Sequence, residues 1–148
     1  VCFPVSCPKG YTMWRGSCYK AFGFLCRPNF SMYIIKTFIE AAAICREDGG
    51  TLAMPRDAET NAFLISLYKS VNRGRFWFGL HRQNREGSFE WMDGSALGTY
   101  NSWAPGQPLG EPTSKACAQY DGRNSDKWVV RSCSMDSGYI CQTVPGGS

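Results

Sequence analysis

The stretch that decides the fold is Ala41–Leu64, "AAAICREDGGTLAMPRDAETNAFL". It continues an apolar pattern at helical spacing, Ile35, Phe38, Ala42 and Cys45, which predicts a helix from about Ser31 or Lys36 to Asp48 with Cys45 on its buried face. Gly49-Gly50 stops that helix. After "AMPR" comes Asp57, whose carboxylate suits the free N–H groups of a first helical turn. A second helix is expected from there, with Phe63, Leu64, Leu67 and Val71 as its apolar stripe.

Before these helices, "CPKGYTMWRGSCYKAF" alternates about Arg15-Gly16 and reads as a hairpin that Cys7 and Cys18 are placed to staple. "GFLCRPNF" reads as a loop holding Cys26, and Asn29-Phe30-Ser31 in it is an acceptor sequence for N-glycosylation at Asn29. After the helices, "FWFGL" (Phe76–Leu80) is a fully apolar run of the kind found in a central strand. "SFEWMDG" alternates and ends in a turn. A long irregular region, Gly94–Ala116, precedes three short strands in "CAQY", "KWVV" and "SGYICQ". Hairpin, two helices, then strands is an α+β order.

The 148 residues are expected to form one domain, 1–148, with a core at 7–142 and flanking segments 1–6 and 143–148. The tail "TVPGGS" has linker composition. Eight cysteines, an even number with no CxxC pair, point to disulfides in an oxidising compartment rather than to zinc or thioredoxin-type redox chemistry. No apolar run approaches a membrane span, and the start at Val1-Cys2 is expected to be that of a mature chain or of an ectodomain trimmed from a longer one. The expectation is a secreted protein or an extracellular domain. A net charge of +4 is too small to argue for nucleic acid. The charge is uneven, however. Arg73, Arg75, Arg82 and Arg85 occur with no acid before Glu86, which gives either a solvated basic face or a patch for anionic ligands. His81 is the one histidine, so a histidine-based catalytic site would rest on it. Its place after an apolar strand reads as an exposed strand end, and no enzyme is expected.

Taken in order, "AAAICREDGGTLAMPRDAETNAFL", "FWFGL", "GSFEWMDGS", "NSWAPGQP" and "WVVRSCSMDSGYIC" resemble the C-type lectin-like domains, over Cys7 to Gln142. The resemblance implies an α+β double-loop fold of the long form. Two helices would flank two small antiparallel sheets, and a long loop would leave and re-enter the core. It also implies the bridges Cys45–Cys141, Cys117–Cys133 and Cys7–Cys18. Cys2 and Cys26 remain, to pair with each other or with a second chain through Cys2, so monomer and dimer both stay open.

In calcium-dependent members of that family, a Glu-Pro-Asn or Gln-Pro-Asp triplet, an acid before the loop cysteine and an Asn-Asp pair after a Trp hold the cation. Calcium takes six to eight hard oxygens. Here Gln107-Pro108 is followed by Leu109, Lys115 stands where the acid belongs, and Val129 and Val130 follow Trp128. At the auxiliary site Arg82, Gly110 and Ala116 replace expected ligands and Glu86 alone remains. The resemblance therefore implies a recognition domain with a degenerate calcium site and no cofactor. It would bind a protein partner or an anionic or microbial glycan on a cell surface. Its long-loop face would use Trp103, Gln107, Glu111 and Lys115, and an innate-defence role would follow by analogy. The alternative is a calcium-assisted lectin with displaced ligands Gln107 and Glu111.

Overall fold

The computed structural model describes residues 5–27, 30–32, 34–82, 87–108 and 115–146. The elements are β1 (Thr12–Trp14), β2 (Ser17–Phe22), β3 (Leu25–Arg27), β4 (Phe30–Met32), α1 (Phe38–Glu47), β5 (Thr51–Leu52), α2 (Ala58–Lys69), β6 (Arg75–Arg82), β7 (Glu90–Trp91), β8 (Ala116–Asp121), β9 (Lys127–Arg131) and β10 (Gly138–Thr143).

Helix α1 begins later than the apolar spacing suggested, because Thr37 closes a capping box. Its hydroxyl accepts from Glu40 N at 3.3 Å, and Glu40 Oε1 accepts from Thr37 N at 3.0 Å. Gly49 ends it at φ +85°, a left-handed conformation that glycine adopts without strain. Asp57 caps α2, accepting from Thr60 N at 2.8 Å. The segment "GFLCRPNF", expected as a loop, contributes strands: β3 pairs antiparallel with β4.

Two antiparallel sheets were expected. Instead one eight-stranded sheet runs β1-β2-β10-β6-β8-β9, with β5 on β10 and β7 on β6, and β3-β4 stands apart. The junction is a parallel pair: β10 lies alongside β6 at Gly138–Phe76 and Tyr139–Trp77. Strand β6 is therefore covered on both faces. Phe76, Phe78 and Leu80 join a core with Leu64 and Tyr68 of α2, while Trp77 joins another with Phe38, Ala42 and Cys45 of α1. That double burial is why its sequence is apolar without alternation. Gly79 belongs to the same arrangement, since a Cβ there would sit 2.8 Å from Leu52 O.

Among the described residues three disulfides tie these layers: Cys7–Cys18 across the first hairpin, Cys45–Cys141 from α1 to β10, and Cys117–Cys133 from β8 to the turn before β10. The C-terminal tail is anchored as far as Gly146, whose backbone bridges Ser6. Thr143, read from sequence as flanking, is the last residue of β10. Cys2 and Asn29 lie outside the described residues.

Candidate functional site

The long loop leaves β6 after Arg82 and returns at β8, and its second half is strapped along β9. Trp128 N donates to Ser102 O and Ala104 N to Trp128 O, both at 2.9 Å. Trp103 packs edge-on against Phe89 at 5.1 Å and Trp128 at 5.5 Å. It is a half-buried anchor of the loop. Trp128 is fully buried, and its indole N–H donates to Asn61 Oδ1 at 2.9 Å. The same oxygen accepts from Tyr120 OH at 2.6 Å.

Asn61 thus fixes both the loop's anchor and the strand beside it from α2. The sequence reading missed this residue. The available signal was its position, three before Leu64 and seven before Tyr68, which places a polar residue on the helix's buried stripe.

Gln107 is the amide expected from the sequence to remain of a calcium triplet. Its Oε1 accepts from Val130 N at 3.1 Å, and the Gln107-Pro108 bond is cis. That oxygen is thus directed at a backbone donor of β9. Val129 is 1 % exposed and Val130 packs against the core, so at these two positions β9 presents apolar side chains to the fold. Lys115 is exposed and lines a separate hollow with Thr37, Ile39, Ser132 and Ser134. Leu109, Gly110, Glu111 and Glu86 lie outside the described residues. Among those described, no group of three or more Asp, Glu, His and Cys side chains comes together.

Of the four arginines expected on one basic face, the three that are described do not lie together. Arg73 and Arg75 are exposed at the start of β6, whereas Arg82 lies seven residues on, about 23 Å along an extended strand. Arg82 is 6 % exposed, with its guanidinium 5.2 Å from the centre of the Phe89 ring. A cation buried over an aromatic face serves packing. Arg85 lies outside the described residues.

His81 is buried too, contrary to the exposed strand end expected. Its ring stacks on Phe38 at 5.6 Å, and its Nδ1 finds no hydrogen-bond partner among the described residues. Burial pushes its pKa below the ordinary value, against a smaller upward pull from Glu90. It is a helix-covered core residue because α1 begins directly over the end of β6.

Beside the loop, Arg56 of the link before α2 pairs with Asp93 and donates to Ser95 Oγ at 2.7 Å. Hydrogen bonds from Ser95, and then the Arg56 contact, hold the Asp93 carboxyl well below the usual carboxylate range. Its ordered charge keeps the turn after β7 in place.

A family model described as "Lectin C-type domain" matches residues 34–143. The chain is 34% identical over 151 residues to an alpha-N-acetylgalactosamine-specific lectin of Patiria pectinifera, covering 95% of this chain and 82% of that protein. It is also 34% identical over 113 residues to collectin-10 of Gallus gallus, where the match spans 40% of that longer protein. Among solved structures, the cow C-type carbohydrate-recognition domain of CD23 superposes with a TM-score of 0.75 at 28% identity, over 97% of this chain and 99% of that one. A calcium-independent type II antifreeze protein superposes with a TM-score of 0.77 at 22% identity, over 97% and 98% of the two chains, a likeness of fold.

Proposed function

The chain belongs to the C-type lectin domain family, and on that premise we propose that it is an extracellular recognition domain that engages its ligand through the long-loop face without calcium. The observation that carries this reading is Gln107. The amide oxygen that would serve a cation accepts a hydrogen bond from Val130 N, and the strand residues that would complete the shell are valines, one of them fully buried. The residues present do not fit calcium, which needs several charged carboxylate oxygens around one point. An ammonium at Lys115, at the position of the lost acid, adds nothing a cation could use.

Two further observations support the rest of the proposal. Three disulfides fit an oxidising compartment outside the cell. One matched relative carries a sugar specificity in its name, and one matched structure is named as a carbohydrate-recognition domain. Membership of this family supports a recognition role.

The test is a glycan array probed with calcium and again with chelator, together with melting curves across a calcium titration. Any ligand that binds the native state must raise its melting temperature as it is added. The expected outcome is the same set of bound glycans in both conditions and no melting shift up to millimolar calcium. Chelator-sensitive binding to simple hexoses, with a matching melting shift, would instead establish the displaced-ligand reading through Gln107 and Glu111.

A further inference from the structure

At the start of β6, where Arg75 pairs with Asp121 of β8, the structure holds a hollow of about 270 Å3. This is the end of β6 remote from Arg82, where the long loop departs. Its lining combines the apolar residues Phe24, Ile35 and Phe76 with the charged residues Arg75, Asp121, Arg123 and Asp136. Asp121 is 5 % exposed and already committed: Oδ2 lies 3.9 Å from Arg75 Nε and 3.6 Å from the Arg131 guanidinium, and Oδ1 accepts from Arg123 N at 3.0 Å.

Two charges on the rim are uncommitted. Among the described residues neither the Arg123 guanidinium nor the Asp136 carboxylate has an ion partner within 4.0 Å. Arg75 shares the one buried carboxylate with Arg131, and the lining of the hollow holds two arginines and two aspartates, so the Arg123 guanidinium is its one cation outside an ion pair among the described residues. Behind its wall, Gln119 is 1 % exposed and donates to Ser137 Oγ at 3.3 Å. Its Oε1 finds no donor among the described residues.

We propose that this hollow binds one carboxylate-bearing sugar ring of an acidic glycan. The carboxylate lies against Arg75 and Arg123, which match its two oxygens with planar, permanently charged donors. The ring's C–H face lies on Phe24 and Ile35, and its hydroxyls donate to Asp136. The volume falls just under the roughly 300–1,000 Å3 of sites for drug-sized ligands, which suits a single ring. Asp136 distinguishes this site from a bare anion site, because a carboxylate on the rim repels a simple anion and accepts sugar hydroxyls. The inference is independent of the calcium-free reading of the long loop.

The experiment is a titration of the intact protein, in chelator, with methyl β-D-glucuronide, followed through backbone amide resonances. Methyl β-D-glucoside and sodium acetate at matched ionic strength are the controls. Saturable shifts are expected at Gly74, Arg75, Asp121, Arg123 and Ser137, with each control binding at least about tenfold more weakly. Arg123→Gln, an exposed turn substitution, should weaken binding about tenfold, as expected for one charge-assisted hydrogen bond, and leave the melting temperature unchanged. Asp136→Asn should weaken the glucuronide but strengthen acetate. Acetate binding as well as the glucuronide, or shifts centred on Gln107 and Val130, would overturn the proposal. So would affinity unchanged by Arg123→Gln, or no saturable shift at all.

Discussion

At the scale of single residues, burial decides what each ionisable group does. His81 was read from sequence as an exposed strand end because it follows an apolar strand among arginines. The residue that covers it, Phe38, stands 43 positions earlier, and no local pattern reports that contact. With its folded pKa below the ordinary 6.5, His81 is favoured neutral in the native state, while the unfolded chain takes up a proton. Unfolding therefore binds a proton below about pH 6.5, and stability falls as pH drops through that value toward the lower folded pKa. We expect the melting temperature to decline between about pH 7.5 and pH 5, and His81→Gln to flatten that decline whatever its absolute stability. Differential scanning calorimetry at several pH values reads this directly, and equal slopes for both proteins would refute it. The N-cap carboxylates do not confuse the window. Asp57 and Glu40 are both lowered by hydrogen bonds at their caps, from 3.8 and 4.5, so their contribution is lost only at more acidic pH.

At the scale of elements, helices and turns were readable because their determinants are local. Asp57 caps α2 as its side-chain chemistry requires, and Gly49-Gly50 ends α1. The pairing of β10 with β6 was not readable, because parallel neighbours share no turn and lie about 60 residues apart in the chain. For the same reason, a covalent link across that distance does more than one across a hairpin. Cys45–Cys141 closes a separation of 96 residues and Cys117–Cys133 one of 16. The chain-entropy account gives about 4.7 kcal/mol for a loop near 100 residues and about 3 kcal/mol near 15. Replacing Cys45 and Cys141 together by alanine should therefore cost about 4–5 kcal/mol in denaturant unfolding, more than replacing Cys117 and Cys133. Both halves of the first bridge are fully buried, which adds a packing loss to the entropic one. The reverse order of losses would contradict the argument.

At the scale of the whole molecule, the proposed calcium-free reading rests on how the long loop is held. The loop is held by protein contacts: Trp103 against Trp128, Trp128 against Asn61, and Gln107 against Val130. None of these contacts uses a cation. Installing the missing oxygens through Leu109→Asn, Lys115→Glu, Val129→Asn and Val130→Asp together should create calcium dependence, while each alone should not, since one added ligand leaves the shell short. The structure adds a cost. Val129 is 1 % exposed, so a polar side chain there loses its packing and enters a desolvated place. The metal-free quadruple variant should melt below the parent, and calcium should raise its melting temperature. A quadruple variant that folds yet gains nothing from millimolar calcium would show that the loop backbone, and not the ligand set, has changed.

The sequence by itself determined the α+β class, both helices and the central strand. Each of these depends on residue type and short spacing, and side-chain chemistry acts over one or two turns of chain. Only the tertiary structure decided the single mixed sheet, the burial of His81 and Arg82, and the role of Asn61. It also decided that Arg123, not Arg82, stands beside Arg75 at the hollow. These depend on which distant segments meet. A charge pattern along the chain cannot report that, because an eight-residue strand such as β6 sends its two ends to places more than 20 Å apart, about 3.3 Å for every residue.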